Sequence, residues 1–296
     1  MLSPAQVDAF RADGYLVIEG LLGAAALRAL REAVDELTER AQGLTATTGV
    51  YDVVPGTGGG GPTVVRRIFH PAEVDPRLEE VALSADVLDA VEALIGPDIE
   101  YHHGKINMKP PGHDAEVGWH QDLPFFPHTN ADLVAVMIYL DDATEENGCL
   151  TVVPGSHALG PLDHFAGDHF IGMVTGDLAR VDLSRAVRLP VRAGGATIHH
   201  SLMLHSSAAN ASPRPRRALI SEYRAADSMA LCPDAEVNAR HYGRLLRGRR
   251  PGTLRLEPRV FRIPTFAPDL DPRSLYDMQE EHRQRSAGGP PASGGR

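Results

Sequence analysis

The order of sequence textures predicts a mainly β domain, a sandwich or a barrel, with helices in front of it. Helical periodicity is confined to the first third of the 296 residues. From residue 99 onward short β-prone runs follow one another, separated by turn clusters such as Glu146-Asn147-Gly148 and Ala193-Gly194-Gly195. The regular strand–helix alternation of a parallel α/β sheet is missing, so closed or stacked antiparallel strands are the expected solution.

The elements follow in order. Ser3 caps a short helix with Pro4 in its first turn and Val7 and Phe10 at helical spacing. Residues 14–18, GYLVI, read as a strand. Residues 24–40 read as an amphipathic helix with Leu27, Leu30, Val34 and Leu37 on one face. The run PGTGGGGP at 55–62 is a surface loop, with a lid over a pocket left open; no Gly-Lys-Ser/Thr follows to make it a phosphate loop. Residues 76–95 form a second helical stretch closed by Gly96-Pro97. Strands are expected at 99–108, 133–140, 149–153, 186–191, 196–200 and 218–223. Residues 1–285 are read as one domain, and the Gly/Pro/Ser-rich residues 286–296 as a disordered tail.

Composition narrows the function. The chain is 43% hydrophobic, enough for a sizeable core, and its formal charge of −10 argues against a broad phosphate-binding surface. No apolar run approaches the roughly 20 residues of a membrane helix. The first residues lack an apolar signal core, and two cysteines make no disulfide framework, so a reducing, cytoplasmic setting is expected. The expected partner is a small molecule, neither nucleic acid nor membrane, and the oligomeric state is left open.

The 14 histidines supply the chemistry. Trp119-His120-Gln121-Asp122 holds a His-x-Asp, whose two side chains share a face if the segment is a strand. About one such pair is expected by chance in a chain of this composition, so it needs a third ligand. A turn and a β-prone run lead to His205, the candidate. Two imidazoles and a carboxylate on one face leave coordination positions free, as in non-haem Fe(II) oxygenases. Arg214, Arg216 and Arg217 follow. A guanidinium matches a carboxylate bidentately, and alternation lets only one of Arg216 and Arg217 face a pocket. His102 and His103 are read as surface residues, with pocket contact as the alternative, one of His199 and His200 as a packed histidine, and His157 as tying a turn. Arginines between residues 244 and 250 could bind an anionic tail such as coenzyme A, or simply face solvent.

Five separated motifs, in order, resemble the phytanoyl-CoA dioxygenase family. They are the opening helix, Asp-Gly-Tyr and strand of residues 3–18; Lys109-Pro110-Pro111; HQDLPFFP at 120–127; ENGCLTVVPGSH at 146–157; and His205…Asn210…Arg216-Arg217-Ala218. The resemblance covers residues 3–225 and implies a double-stranded β-helix (jelly-roll) core. It also implies an Fe(II)/2-oxoglutarate-dependent dioxygenase that uses O₂, turns 2-oxoglutarate into succinate and CO₂, and hydroxylates or otherwise oxidises an unactivated C–H bond. By position, His120, Asp122 and His205 match the iron ligands. Arg216, assisted by Ser207, matches the anchor of the distal 2-oxoglutarate carboxylate. Gln121, Lys105 and one of Arg66 and Arg67, with Arg67 preferred, match further cosubstrate contacts. Ile138 departs from the pattern where an aromatic can flank the cosubstrate.

A carboxylate at Asp122 fills the position that related halogenases leave to halide, so oxygen chemistry is expected. Trp119, Phe125 and Phe126 are read as core or as wall of the substrate pocket. The substrate is an acyl-CoA, an amino-acid-like solute or a natural-product intermediate. Two other classes stand beside this reading. One is a non-catalytic jelly-roll that binds a metal or 2-oxo acid; the other is a zinc hydrolase, for which no His-Glu-x-x-His signature is present.

Overall fold

A computed structural model describes residues 2–54, 61–112, 115–232, 241–264 and 275–286. Most of the glycine-rich loop and residues 287–296 lie outside the described residues. Ser286, read as the start of the tail, instead ends a helix.

In chain order the elements are α1 (Pro4–Asp13), β1 (Tyr15–Ile18), α2 (Ala24–Arg40), β2 (Tyr51–Val54), β3 (Val64–Phe69), α3 (Pro71–Val74), α4 (Pro76–Ala82), α5 (Ala85–Ile95) and β4 (Ile99–Lys109). There follow β5 (Val117–His120), β6 (Leu133–Tyr139), β7 (Leu150–Val152), β8 (Phe165–Ala166), β9 (His169–Phe170), β10 (Val187–Leu189), β11 (Ala196–His200), β12 (His205–Ser207), β13 (Arg216–Ala225), β14 (Leu245–Arg247) and α6 (Leu275–Ser286). A large antiparallel sheet runs β1-β11-β6-β13-β4-β3-β2, with β14 also on β4, and a small one runs β10-β7-β12-β5. This is the mainly β jelly-roll core that the sequence predicts.

The large sheet divides its residues by the two-residue period of a strand. Val134, Val136 and Ile138 of β6 join a core with Leu30, Val34 and Leu37 of α2 and Val87, Val91 and Ile95 of α5. Ala135, Met137 and Tyr139 face the other way, into the space between the sheets, with Ala218 and Ile220 of β13. Each fully buried leucine of α2 contributes about 1.5–3 kcal/mol of burial free energy, which holds the helix layer on this sheet. The interior is therefore left to polar groups on alternate residues of β4, β11 and β13.

Two local devices set the frame. Gly14 ends α1 in the left-handed region (φ +81°), where a Cβ would strike the ring of His157 and Met203. The stretch at 76–95 is two helices, because Ser84 is extended (φ −66°, ψ 152°) and starts α5 afresh. Apolar residues continue at helical spacing on both sides of Ser84, which masks that break in the sequence.

Candidate metal centre

β5 and β12 are neighbours in the small sheet, and His205 lies directly opposite His120, their ring centroids 4.0 Å apart. Asp122 reaches the same point differently from the strand geometry expected. His120 is the last residue of β5, and Asp122 already has helical backbone (φ −76°, ψ −43°) at the head of a short turn. Its N–H donates to the Ser201 carbonyl at 2.9 Å, which fixes the turn against the end of β11. The ligand-type atoms of His120, Asp122 and His205 all lie within 4.8 Å of one another, and all three residues are buried.

The hydrogen bonds around these rings settle which nitrogen is available. His120 Nδ1 is 2.9 Å from the Gly118 carbonyl oxygen and His205 Nδ1 is 2.9 Å from that of Met203. A carbonyl oxygen only accepts, so each Nδ1 carries the proton and each Nε2 lone pair is left for a cation. Both Nε2 atoms face Asp122 Oδ1, at 4.0 and 3.8 Å. Asp122 Oδ2 accepts from His199 Nε2 at 3.1 Å, so this fourth histidine orients the carboxylate. Burial pushes His120 well below its ordinary value and His205 down to about 4, which keeps both rings neutral at pH 7. Burial alone would raise Asp122, but His205, His199 and Lys105 hold it well below the usual carboxylate range. A neutral, neutral, anionic donor set of N, N and O is what a divalent transition metal requires.

Across the interior stands Arg216, the first residue of β13 and 1% exposed. One Nη2 hydrogen goes to Ser207 Oγ at 3.2 Å, and that hydroxyl donates to the Gly148 carbonyl at 2.9 Å. Nε and Nη1 of Arg216 have no acceptor among the described residues. Burial lowers its pKa, yet a guanidinium stays charged, so a buried cation awaits an anion here. Gly148 is required where it stands: at φ +77° a Cβ would collide with the Ala208 carbonyl. Lys109, also buried, donates to the carbonyls of Ala115, Ser207 and Ala208 and ties the approach loops together. Arg217 faces outward, as alternation predicts, to Asp141 at 2.8 Å and Asp35 at 2.5 Å.

A cavity of about 50 Å³ joins the two regions, lined by His120, Asp122, His205, Arg216 and Ser207. Arg67, Lys105, Asn107, His199, Glu222 and Tyr276 line it too. Lys105 contacts Glu222 Oε1 at 3.4 Å. His102 and His103 are buried and not on the surface as expected: both turn inward beside Glu222, because β13 shifts register between Glu222 and Tyr223 and two residues of β4 then oppose one. Their Nδ1 atoms are 2.7 Å apart, hydrogen-bonded to each other.

Other expected site residues fall elsewhere. The Gln121 side chain donates to the Gly160 and Leu202 carbonyls and accepts from Leu162 N–H, so it braces a loop and is not free for a cosubstrate. Trp119 packs among Val153, Val174 and Leu204 and borders an open groove of about 820 Å³ lined by Thr151 and Ser206. Phe126 covers His102 and His103, and Phe125 pairs with Phe170, its ring 6.1 Å from that of His120. Neither phenylalanine lines the cavity. Ile138 points into the helix-side core, while its neighbour Tyr139 faces the interior and hydrogen-bonds Thr197 at 3.4 Å. Three of the arginines between residues 244 and 250 pair with carboxylates: Arg244 with Glu79, Arg247 with Asp89 and Glu92, Arg250 with Glu100. Sequence reasoning missed Tyr276, because α6 carries no apolar stripe that would mark it as covering a site.

Known proteins bear the same arrangement of chain. The family described as phytanoyl-CoA dioxygenase (PhyH) matches residues 10–218. A probable alpha-ketoglutarate-dependent hypophosphite dioxygenase of Stutzerimonas stutzeri is 31% identical over 278 residues, covering 92% of this chain and 94% of that protein. The crystal structure of EctD from S. alaskensis with bound Fe superposes with a TM-score of 0.64 at 25% identity, covering 86% of this chain and 87% of that one. EvdO2 from Micromonospora carbonacea var. aurantiaca, complexed with 2-oxoglutarate, gives a TM-score of 0.59 at 26% identity, over 79% of this chain and 95% of that one. Together with the five ordered motifs, these matches establish that the chain belongs to the phytanoyl-CoA dioxygenase family.

Proposed function

We propose that the protein is an Fe(II)- and 2-oxoglutarate-dependent dioxygenase that hydroxylates an unactivated C–H bond of a small polar molecule. One observation carries this: a buried His-Asp-His group with its Nε2 lone pairs free faces, across one cavity, a buried arginine lacking acceptors for Nε and Nη1. His120, Asp122 and His205 hold the iron, and Arg216 with Ser207 holds the distal carboxylate of 2-oxoglutarate. When bound, the iron and its cosubstrate supply the O₂-dependent oxidation, with loss of CO₂ and formation of succinate.

The chain's own contribution is placement. The carbonyls of Gly118 and Met203 fix both imidazole tautomers before any ligand arrives, and His199 fixes the carboxylate. Such outer hydrogen bonds typically govern metal affinity by 10–100-fold. Lys105, beside Glu222, puts a cation next to Asp122 and the bound anion. Tyr276 of α6 closes one wall and keeps bulk water off the reacting centre. The small cavity, and the pairing of Arg244, Arg247 and Arg250 with carboxylates, favour a compact solute over an acyl-CoA.

The test is succinate formation by iron-loaded protein with 2-oxoglutarate and O₂, across a panel of small polar organic solutes. Substrate-stimulated succinate, absent in Asp122→Ala, is the expected result. Hydrolytic turnover with zinc and no succinate would instead indicate the hydrolase class, and 2-oxo-acid binding without any turnover the binding-protein class.

A further inference from the structure

The cavity holds more positive charge than the metal and cosubstrate use. Counting histidines as neutral, a divalent iron, Asp122, the two carboxylates of 2-oxoglutarate and Arg216 cancel. Lys105 and Glu222 form a pair at 3.4 Å and cancel as well. Arg67 remains. It is 6% exposed and lines the same cavity, and its Nε has no acceptor among the described residues. Its guanidinium carbon lies 4.5 Å from the centroid of the Tyr276 ring, a contact that orients the fork without neutralising it.

The neighbouring residue shows that this is not a shortage of carboxylates. Arg66 takes Asp52 at 2.6 Å and Asp277 at 2.9 Å, so the acids near this strand are committed to it. Register then gives Arg67 a polar companion. It lies opposite Asn107 on β4, whose Oδ1 is also buried and without a donor. Asn107 in turn lies opposite Ala218, two residues on from Arg216. A buried cation and a buried acceptor on adjacent strands make a site for an oxyanion that also carries an O–H or N–H.

We propose that Arg67, with Asn107 beside it, is the subsite for an anionic group on the substrate: a carboxylate, phosphonate or similar oxyanion of net charge −1. This rests on the reading that Arg216 takes the distal carboxylate of 2-oxoglutarate, and it removes Arg67 from the cosubstrate contacts that the resemblance implies. The same oxyanion chemistry could come from the second carboxylate of 2-oxoglutarate, so the experiment separates the two sources.

The probe is methylphosphonate, titrated calorimetrically into the zinc-loaded full chain, where zinc keeps the site redox-silent. Wild type should bind methylphosphonate with 2-oxoglutarate saturating, and Arg67→Gln should weaken that binding at least about tenfold while changing 2-oxoglutarate affinity less than about twofold. Displacement of methylphosphonate from wild type by 2-oxoglutarate would overturn the proposal, and this arm needs no variant to fold. So would a parallel loss of 2-oxoglutarate affinity in Arg67→Gln, unchanged methylphosphonate binding in that variant, or no binding to wild type. Arg216→Gln separates the two levels: if it leaves 2-oxoglutarate affinity unchanged, the cosubstrate reading itself fails, whatever Arg67 does.

Discussion

The two sheets treat their polar residues in opposite ways. On the small sheet the metal group is finished from within, since its imidazoles are tied to main-chain carbonyls two residues back and its carboxylate is braced by His199. On the inner face of the large sheet Arg216, Arg67 and Asn107 keep buried atoms with no partner among the described residues. Leaving such groups unsatisfied costs about 1–3 kcal/mol each, more when charged. The contrast teaches that the metal end is preorganised by the fold alone, whereas the other end is built to be completed by ligands.

Breaking the finished side should have the largest effect. Asp122→Ala removes the only anionic member of the donor set and should lower succinate formation about a thousandfold, with iron binding lost in parallel. Arg216→Gln attacks the unfinished side: the 2-oxoglutarate KM should rise about a hundredfold, with iron affinity near wild type by equilibrium dialysis. Equal loss of iron and cosubstrate binding would mean that Arg216 is structural. His199→Ala leaves every donor in place but frees the carboxylate, so iron affinity should fall about tenfold or more. Ser207→Ala deletes one hydrogen bond to the charged Arg216 and should raise the 2-oxoglutarate KM about tenfold, about 1.5 kcal/mol.

A last variant tests how the cavity wall is held. Gln279 of α6 accepts from Gly118 N–H at 2.8 Å and donates to the Gly172 carbonyl at 2.7 Å. Gln279→Ala strands both groups and should destabilise the protein by about 1–3 kcal/mol, read as a lower thermal midpoint. Because Gly118 also fixes the His120 tautomer, iron affinity measured on the same variant shows whether α6 supports the metal side or only covers it.

Legibility in the sequence follows the same division. Ala24–Arg40 and Ala196–His200 have the predicted bounds because their periodicity is clean and long enough to read. The strands that carry the metal group, four residues in β5 and three in β12, are too short for any period to show, so only the motif order located them. Alternation forecast correctly that Arg216 and Arg217 part company. It could not tell which of His199 and His200 turns inward, and it missed the shift that points His102 and His103 the same way. The aromatic residues were undecided for a different reason: a phenylalanine next to a metal motif fits a core as well as a pocket, and here Phe125 and Phe126 pack against Phe170 and His102. Helix α6 was invisible because its sequence is mostly polar and only Tyr276 and Gln279 are buried.

The central claim is that iron and 2-oxoglutarate meet between the two sheets. The direct measurement is an anaerobic titration of 2-oxoglutarate into the Fe(II)-loaded chain, following the visible charge-transfer band of the chelate. A saturable band in wild type, absent in His205→Ala and shifted to higher 2-oxoglutarate in Arg216→Gln, is the predicted result. A folded, iron-loaded wild type that develops no band would contradict it.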